Sequence, residues 1–304
     1  MSIIKVRGLS HVAFQAPDLL RMRSFLEDFG LQCAADGEVL FMTGCGAAPF
    51  LHRTTLGPPA FVALGLEAQS LDDLGRLSAA VGHAPQMLDA PGGGWGITLT
   101  DPDGVRVEVV AGRKERPAQL PAGQTWNRIA EQPRLSRVKR VTVGASHAVR
   151  LGHCVLGVED FRRSERWYKD HFGLLTSDEI ELRPGEAMGA FLRCDLGCEP
   201  TDHHTLFLAQ TQKGAGFRHA AFEVVDLDDL MSGRDHLGRK GHGAAWGVGR
   251  HMLGSQVFDY WRDPWGHMLE HWTDGDLLTA DDPPQVVPIS ALHDVQWGQE
   301  FPGF

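Results

Sequence analysis

Apolar runs that alternate with polar positions recur along the chain, and each leads into a helical stretch. Residues 11–31 read HVAFQAPDLLRMRSFLEDFGL and residues 153–174 read HCVLGVEDFRRSERWYKDHFGL. Both open with His on an alternating run, reach Asp seven positions on (Asp18, Asp160), and end in Phe-Gly-Leu. This predicts a strand, a helix capped near the aspartate, and a stop at glycine. An aspartate at a helix start accepts orphan backbone N–H bonds, and glycine tolerates the left-handed geometry that ends a helix.

A second pair follows in the same order. Residues 61–74 (FVALGLEAQSLDDL) match 217–230 (FRHAAFEVVDLDDL), each a strand leading through Leu-Asp-Asp-Leu into a helix. A third pair, DPDGVRVE at 101–108 and DPWGHMLE at 263–270, predicts a turn and then a strand ending in Glu. Three matched segments in one order imply duplication. The expected domains are 1–135 and 148–275, joined at 136–147, with an extended tail at 276–304 wrapping the surface. The polar, proline-bearing run 113–137 reads as linker. Within each half the first two segments share the strand-then-helix layout. The fold class is therefore α+β: two similar domains, each of two βαβββ modules whose strands form one curved sheet.

Composition narrows the function classes. The 304 residues are 42% hydrophobic and 22% charged, as in ordinary globular proteins, and the net charge is -10. Phosphate binding needs clustered Lys and Arg, so nucleic acid is not an expected partner. No run approaches the ~18 apolar residues of a membrane span, and the start lacks the apolar core of a signal peptide. The cysteines, 33, 45, 154, 194 and 198, are odd in number and form no CxxC pair. That predicts a reducing, cytoplasmic setting. Fifteen histidines against two tyrosines direct attention to metal sites. No P-loop, dinucleotide fingerprint or HExxH motif is present.

His153, His219 and Glu270 each fall on a strand of the second half. Two imidazoles and one carboxylate on one face of an ion leave its other positions open, the arrangement of non-haem Fe(II) oxygenases. The aligned residues of the first half are His11, Ala63 and Glu108. Ala63 cannot ligate a metal, so no active site is expected there.

The segment GRHMLGSQVFDYWRDPWGHMLE, residues 249–270, sharpens this reading. It resembles the signature of the type I extradiol dioxygenases of the vicinal oxygen chelate superfamily: Gly-x-His, a spacer, an apolar residue, Tyr, two residues, Asp-Pro-x-Gly, and Glu. His251, Tyr260, Asp263, Pro264, Gly266 and Glu270 occupy the matching places. Asp259 departs from the pattern; adjacent strand residues face opposite sides, so it should point away from Tyr260. The pair His203-His204 is a second match, its second histidine lying beside the metal in the family. The resemblance spans about residues 5–275.

The resemblance implies a glyoxalase-like fold and Fe(II), or Mn(II), held by His153, His219 and Glu270. It implies catalytic roles for His204, His251 and Tyr260, a catechol-type substrate opened by O2 next to its diol, and a homo-oligomer. In the first half Thr98 aligns with Tyr260. His267 and His271 are expected on the opposite side of their strand, as surface or packing residues, and Trp246, Trp261 and Trp265 in core or rim. The alternative on this scaffold is a glyoxalase-like lyase or isomerase. A drug-binding module of the bleomycin-resistance type is a third reading, disfavoured by the fused halves and the intact trio.

Overall fold

The computed structural model describes residues 2–121 and 125–303; residues 122–124, within the run read as linker, lie outside the described residues. The first half runs β1 (Val6–Ala16), α1 (Leu19–Asp28), β2 (Gln32–Ala35), β3 (Val39–Thr43), β4 (His52–Leu56), then β5 (Ala60–Ala68), α2 (Leu71–Val81), β6 (Gln86–Met87), β7 (Trp95–Thr100) and β8 (Arg106–Ala111). These strands form one eight-stranded sheet, ordered β2-β3-β4-β1-β5-β8-β7-β6. The two βαβββ modules thus meet edge to edge at β1 and β5.

The second half repeats the plan with β9 (Ala148–Val158), α3 (Phe161–Phe172), β10 (Leu175–Arg183), β11 (Glu186–Arg193), β12 (Thr201–Asp202), β13 (Leu206–Gln210), β14 (Gly216–Val224), α4 (Leu227–Arg239), β15 (Gly243–His251), β16 (Val257–Arg262) and β17 (Met268–Thr273). Its ten-stranded sheet joins the modules at β9 and β14.

The helix starts follow their sequence signals. Asp18 and Asp160 accept hydrogen bonds from the backbone N–H groups of Arg21 and Arg163, and Ser70 and Asp226 cap α2 and α4 in the same way. Gly173 ends α3 at φ 68°, a left-handed conformation that an L side chain resists. Each helix buries one face: Met22, Phe25 and Leu26 on α1, and Phe161, Tyr168 and Phe172 on α3. One large hydrophobic core runs through both halves. Polar ties cross between them: the Tyr168 hydroxyl donates to Asp101 at 2.9 Å, and His271 Nε2 donates to the Phe29 carbonyl at 2.6 Å.

The C-terminal stretch runs over the surface and adds short elements to the sheet edges. It contains β18 (Leu277–Leu278), β19 (Gln285–Pro288), α5 (Ile289–His293) and β20 (Val295–Gly298). β19 pairs with β10 at one edge of the larger sheet, and β20 with β15 at the other. Strands this short carry too little periodicity to read from sequence, and pairing fixes them by satisfying exposed edge groups. Among the described residues no helix is long and apolar enough to cross a membrane.

Candidate metal centre

Cross-strand register assembles the site. His153 of β9 pairs with Ala221 of β14, Ala221 with Glu270 of β17, Glu270 with Tyr260 of β16, and Tyr260 with Trp246 of β15. Residues paired across strands share a face of the sheet, so one row carries two candidate ligands and the candidate catalytic residue Tyr260. His219 lies two residues before Ala221 and joins the same face. Ala221, in the middle of the row, is too short to fill the space between its neighbours.

The result is a tight convergence. One ligand atom each from His153, His219 and Glu270 lie within 4.8 Å of one another. Glu270 Oε2 is 3.1 Å from His153 Nε2 and 3.2 Å from His219 Nε2. Glu270 is fully buried, and its Oε1 has no hydrogen-bond partner. An orphaned carboxylate oxygen costs free energy unless something charged completes its shell. This orphan and the two-nitrogen, one-oxygen donor set fit a divalent transition metal. Burial would raise the Glu270 carboxyl, but the adjacent imidazoles, His153 foremost, hold it well below the carboxylate range. Burial lowers His153, which favours the neutral imidazole that ligates metals.

His204 stands over His153, with ring centroids 4.2 Å apart. Its Nδ1 lies 3.1 Å from Nδ1 of His203, whose Nε2 is 2.8 Å from Asp178. The carboxylate at Nε2 makes that His203 nitrogen the donor, so His203 Nδ1 accepts from His204. Nε2 of His204 is left without a partner among the described residues. On the opposite side, His251 Nε2 is 2.9 Å from the Tyr260 hydroxyl. Tyr260 stacks on Trp246, and burial raises its hydroxyl well above the ordinary tyrosine range.

These residues close one end of a cavity of about 650 Å³, ample for a small aromatic molecule. Its walls include Val155, Phe191, Phe207, Phe217, Leu292 and Phe301. The structure thus brings together all six residues singled out in the sequence. Asp259 is directed elsewhere, to Arg234 at 2.5 Å and the Trp261 indole at 2.6 Å. One expectation is corrected: His267 lines the cavity, held 2.8 Å from Asp263, because it precedes β17 and escapes that strand's alternation. Trp246 is buried in the core, as expected, and also lines the cavity. His271 is buried packing, as expected. The aromatic walls were missed, although Val155, two residues beyond His153, and its cross-strand partner Phe207 follow from period-two counting.

Comparison with known proteins places the chain beside proteins of the same fold. Residues 150–271 match the Glyoxalase/Bleomycin resistance protein/Dioxygenase superfamily. The chain is 28% identical to metapyrocatechase 2 of Cupriavidus necator, over 98% of this chain and 91% of the relative. It is 27% identical to biphenyl-2,3-diol 1,2-dioxygenase of Paraburkholderia xenovorans, over 88% of each. Among solved structures, the Mn(II)-bound glyoxalase from Novosphingobium aromaticivorans superposes with a TM-score of 0.80 at 23% identity, covering 98% of this chain and 93% of that one; it attests the fold. With duplicated βαβββ modules and similarity along nearly its whole length to proteins named metapyrocatechase and biphenyl-2,3-diol 1,2-dioxygenase, the chain is similar to the type I extradiol dioxygenases of the vicinal oxygen chelate superfamily.

Proposed function

We propose that this enzyme opens the ring of a catechol next to its diol, using O2 at an Fe(II) ion held by His153, His219 and Glu270, and places both oxygen atoms in the product. The observation that carries this reading is the convergence of those three ligand atoms within 4.8 Å at the closed end of the cavity, flanked by His204, His251 and Tyr260. Bound there, Fe(II) would ease loss of the diol protons and supply the one-electron chemistry that lets O2 react with a closed-shell ring.

The protein's own groups do the rest. The apolar walls exclude water and hold the ring in one plane. The Tyr260 hydroxyl and His251 Nε2 hydrogen-bond the diol oxygens, and the His251 imidazole takes up a proton as the diol ionises, while Tyr260 stays protonated and holds the oxygen in place. His204, anchored through His203 and Asp178, presents Nε2 to the reacting oxygen and carries a proton to it as a general acid. Its imidazole is strongly biased to the neutral form, first by burial and then by neighbouring His153 and His203. The proton it delivers is therefore one gained during the reaction.

Five free cysteines fit a reducing, cytoplasmic setting that keeps iron ferrous. For the homo-oligomer, the connecting segment offers a candidate surface, with Ile129, Leu135, Val138 and Val143 exposed. The test is anaerobic loading with Fe(II) or Mn(II), then admission of O2 with a panel of catechols. Uptake of one O2 per yellow ring-fission product is expected. Absence of uptake with every catechol and either metal would defeat the reading.

A further inference from the structure

The cavity's outer part is built for charge. Among the described residues no aspartate or glutamate lines it, although the chain has 39 acidic residues against 29 basic ones; Lys213 and Arg218 do line it. Lys213 comes from the turn joining β13 to β14, and Arg218 from the start of β14. Arg218 sits at a register shift between Phe217 and His219, where β14 bulges against β9. A bulge re-aims one side chain out of the strand's alternation, which lets Arg218 reach the same cavity as His219 next to it.

Its guanidinium is anchored by neutral oxygens alone. Nη2 donates to the Gly214 carbonyl and, at 3.4 Å, to the Thr211 hydroxyl; Nη1 donates to the Phe217 carbonyl at 3.3 Å and the Gly216 carbonyl at 3.5 Å. Nε has no partner among the described residues. Glu159, which follows β9 and packs on this turn, accepts from the Ala215 N–H at 3.1 Å and forms no ion pair with Arg218. Lys213 likewise forms no ion pair among the described residues. Arg150 and Arg53, by contrast, meet carboxylates, Asp202 and Glu223 for the first and Glu108 for the second; Arg193 is also held by neutral oxygens but is fully buried away from the cavity. A positioned guanidinium with unused N–H groups and no counter-charge is a receptor for a carboxylate, whose two oxygens match its planar donor pair.

We propose that Lys213 and Arg218 form an anion subsite at the cavity mouth, and that the catechol opened here carries a short side chain ending in a carboxylate. This inference rests on the ring-cleavage reading. Between them the subsite and the metal centre set the substrate's length: Arg218 lies two to three residues along β9 from the level of His153, about 8 Å at the usual rise per residue. The aromatic and aliphatic walls lie along that span.

The test compares matched pairs: 3-(2,3-dihydroxyphenyl)propanoate against 3-butylcatechol, and 3-(3,4-dihydroxyphenyl)propanoate against 4-butylcatechol. With iron-loaded wild type, kcat/KM should favour one carboxylate by about tenfold over its neutral partner, chiefly through KM, and added salt should shrink that ratio. In Arg218→Gln the ratio should collapse toward one, whereas Arg218→Lys should keep part of it. Calorimetry on metal-free protein gives a readout apart from turnover: 3-phenylpropanoate should bind more tightly than 3-phenylpropanol, and Arg218→Gln should erase the difference. Ring cleavage with no carboxylate preference, or one unchanged in Arg218→Gln, would overturn the subsite alone. Absence of ring cleavage with any catechol, with the calorimetric preference intact, would overturn the ring-cleavage reading and spare the subsite.

Discussion

The two halves place a histidine and a glutamate at the same points of one scaffold and solve the buried carboxylate differently. In the second half the row is His153, Ala221, Glu270, Tyr260; in the first it is His11, Gly65, Glu108, Thr98. His11 Nε2 is 3.0 Å from Glu108, much as His153 is 3.1 Å from Glu270. The differences lie around these pairs. Ala63 replaces His219. The parallel register of β1 with β4 and of β9 with β13 puts Phe50 where His204 stands and Arg53 where Phe207 stands. Arg53 donates to Glu108 at 2.9 Å, so a guanidinium supplies the positive charge. In the other half Phe207 supplies none, and Glu270 Oε1 is left without a hydrogen bond. The space has closed as well: a Cβ on Gly65 would come within 2.3 Å of the His11 ring and 2.4 Å of the Ser10 hydroxyl. One half neutralises its carboxylate with its own arginine; the other keeps an opening whose charge asks for a cation.

The comparison is broken most severely by His219→Ala, which gives the second half the first half's ligand set. Iron content, measured by metal analysis, should fall from about one per chain to near zero. Turnover should fall by more than the roughly 10–100-fold that outer-shell partners of a metal cost. Next comes His204→Ala, which removes the residue that Phe50 replaces. Iron should stay bound while kcat drops by about 10²–10⁴-fold, the usual range for a lost general acid.

Glu108 gives the third prediction. Burial would raise its carboxyl, but His11 and Arg53 outweigh that and pull it from 4.5 to about 2. A carboxyl depressed on folding stabilises the fold above its unfolded value and loses that contribution as pH falls through the folded one. Glu108→Gln should therefore cost on the order of 3 kcal/mol at pH 7. In denaturant titrations the gap from wild type should narrow as pH drops from about 4.5 toward 2. The smallest effect is expected of Ala63→His. The residue is fully buried, so the added ring should destabilise by about 1–3 kcal/mol. It should recruit no metal, because Arg53 still holds Glu108.

Much of this was legible in the sequence, for a physical reason. Strand alternation and helix caps repeat in both halves, so the duplication and the βαβββ modules could be read from spacing. The six site residues could be read because Gly-x-His, Tyr and Asp-Pro-x-Gly-x-x-x-Glu sit close together on two strands and their turn. What stayed hidden depends on pairing between distant segments. Arg53 and Phe207 gain their roles only through the register of β4 and β13. Trp246 reaches the cavity through its pairing with Tyr260, and Arg218 through a bulge that breaks the alternation. The short C-terminal strands are defined by the sheet edges they meet.

The most direct measurement is anomalous diffraction at the iron edge from crystals of protein loaded with one equivalent of Fe(II) under anaerobic conditions. A single peak within coordination distance of His153, His219 and Glu270, with none beside His11 and Glu108, is predicted. A peak elsewhere, or an empty His153–His219–Glu270 cluster in fully loaded protein, would contradict the account.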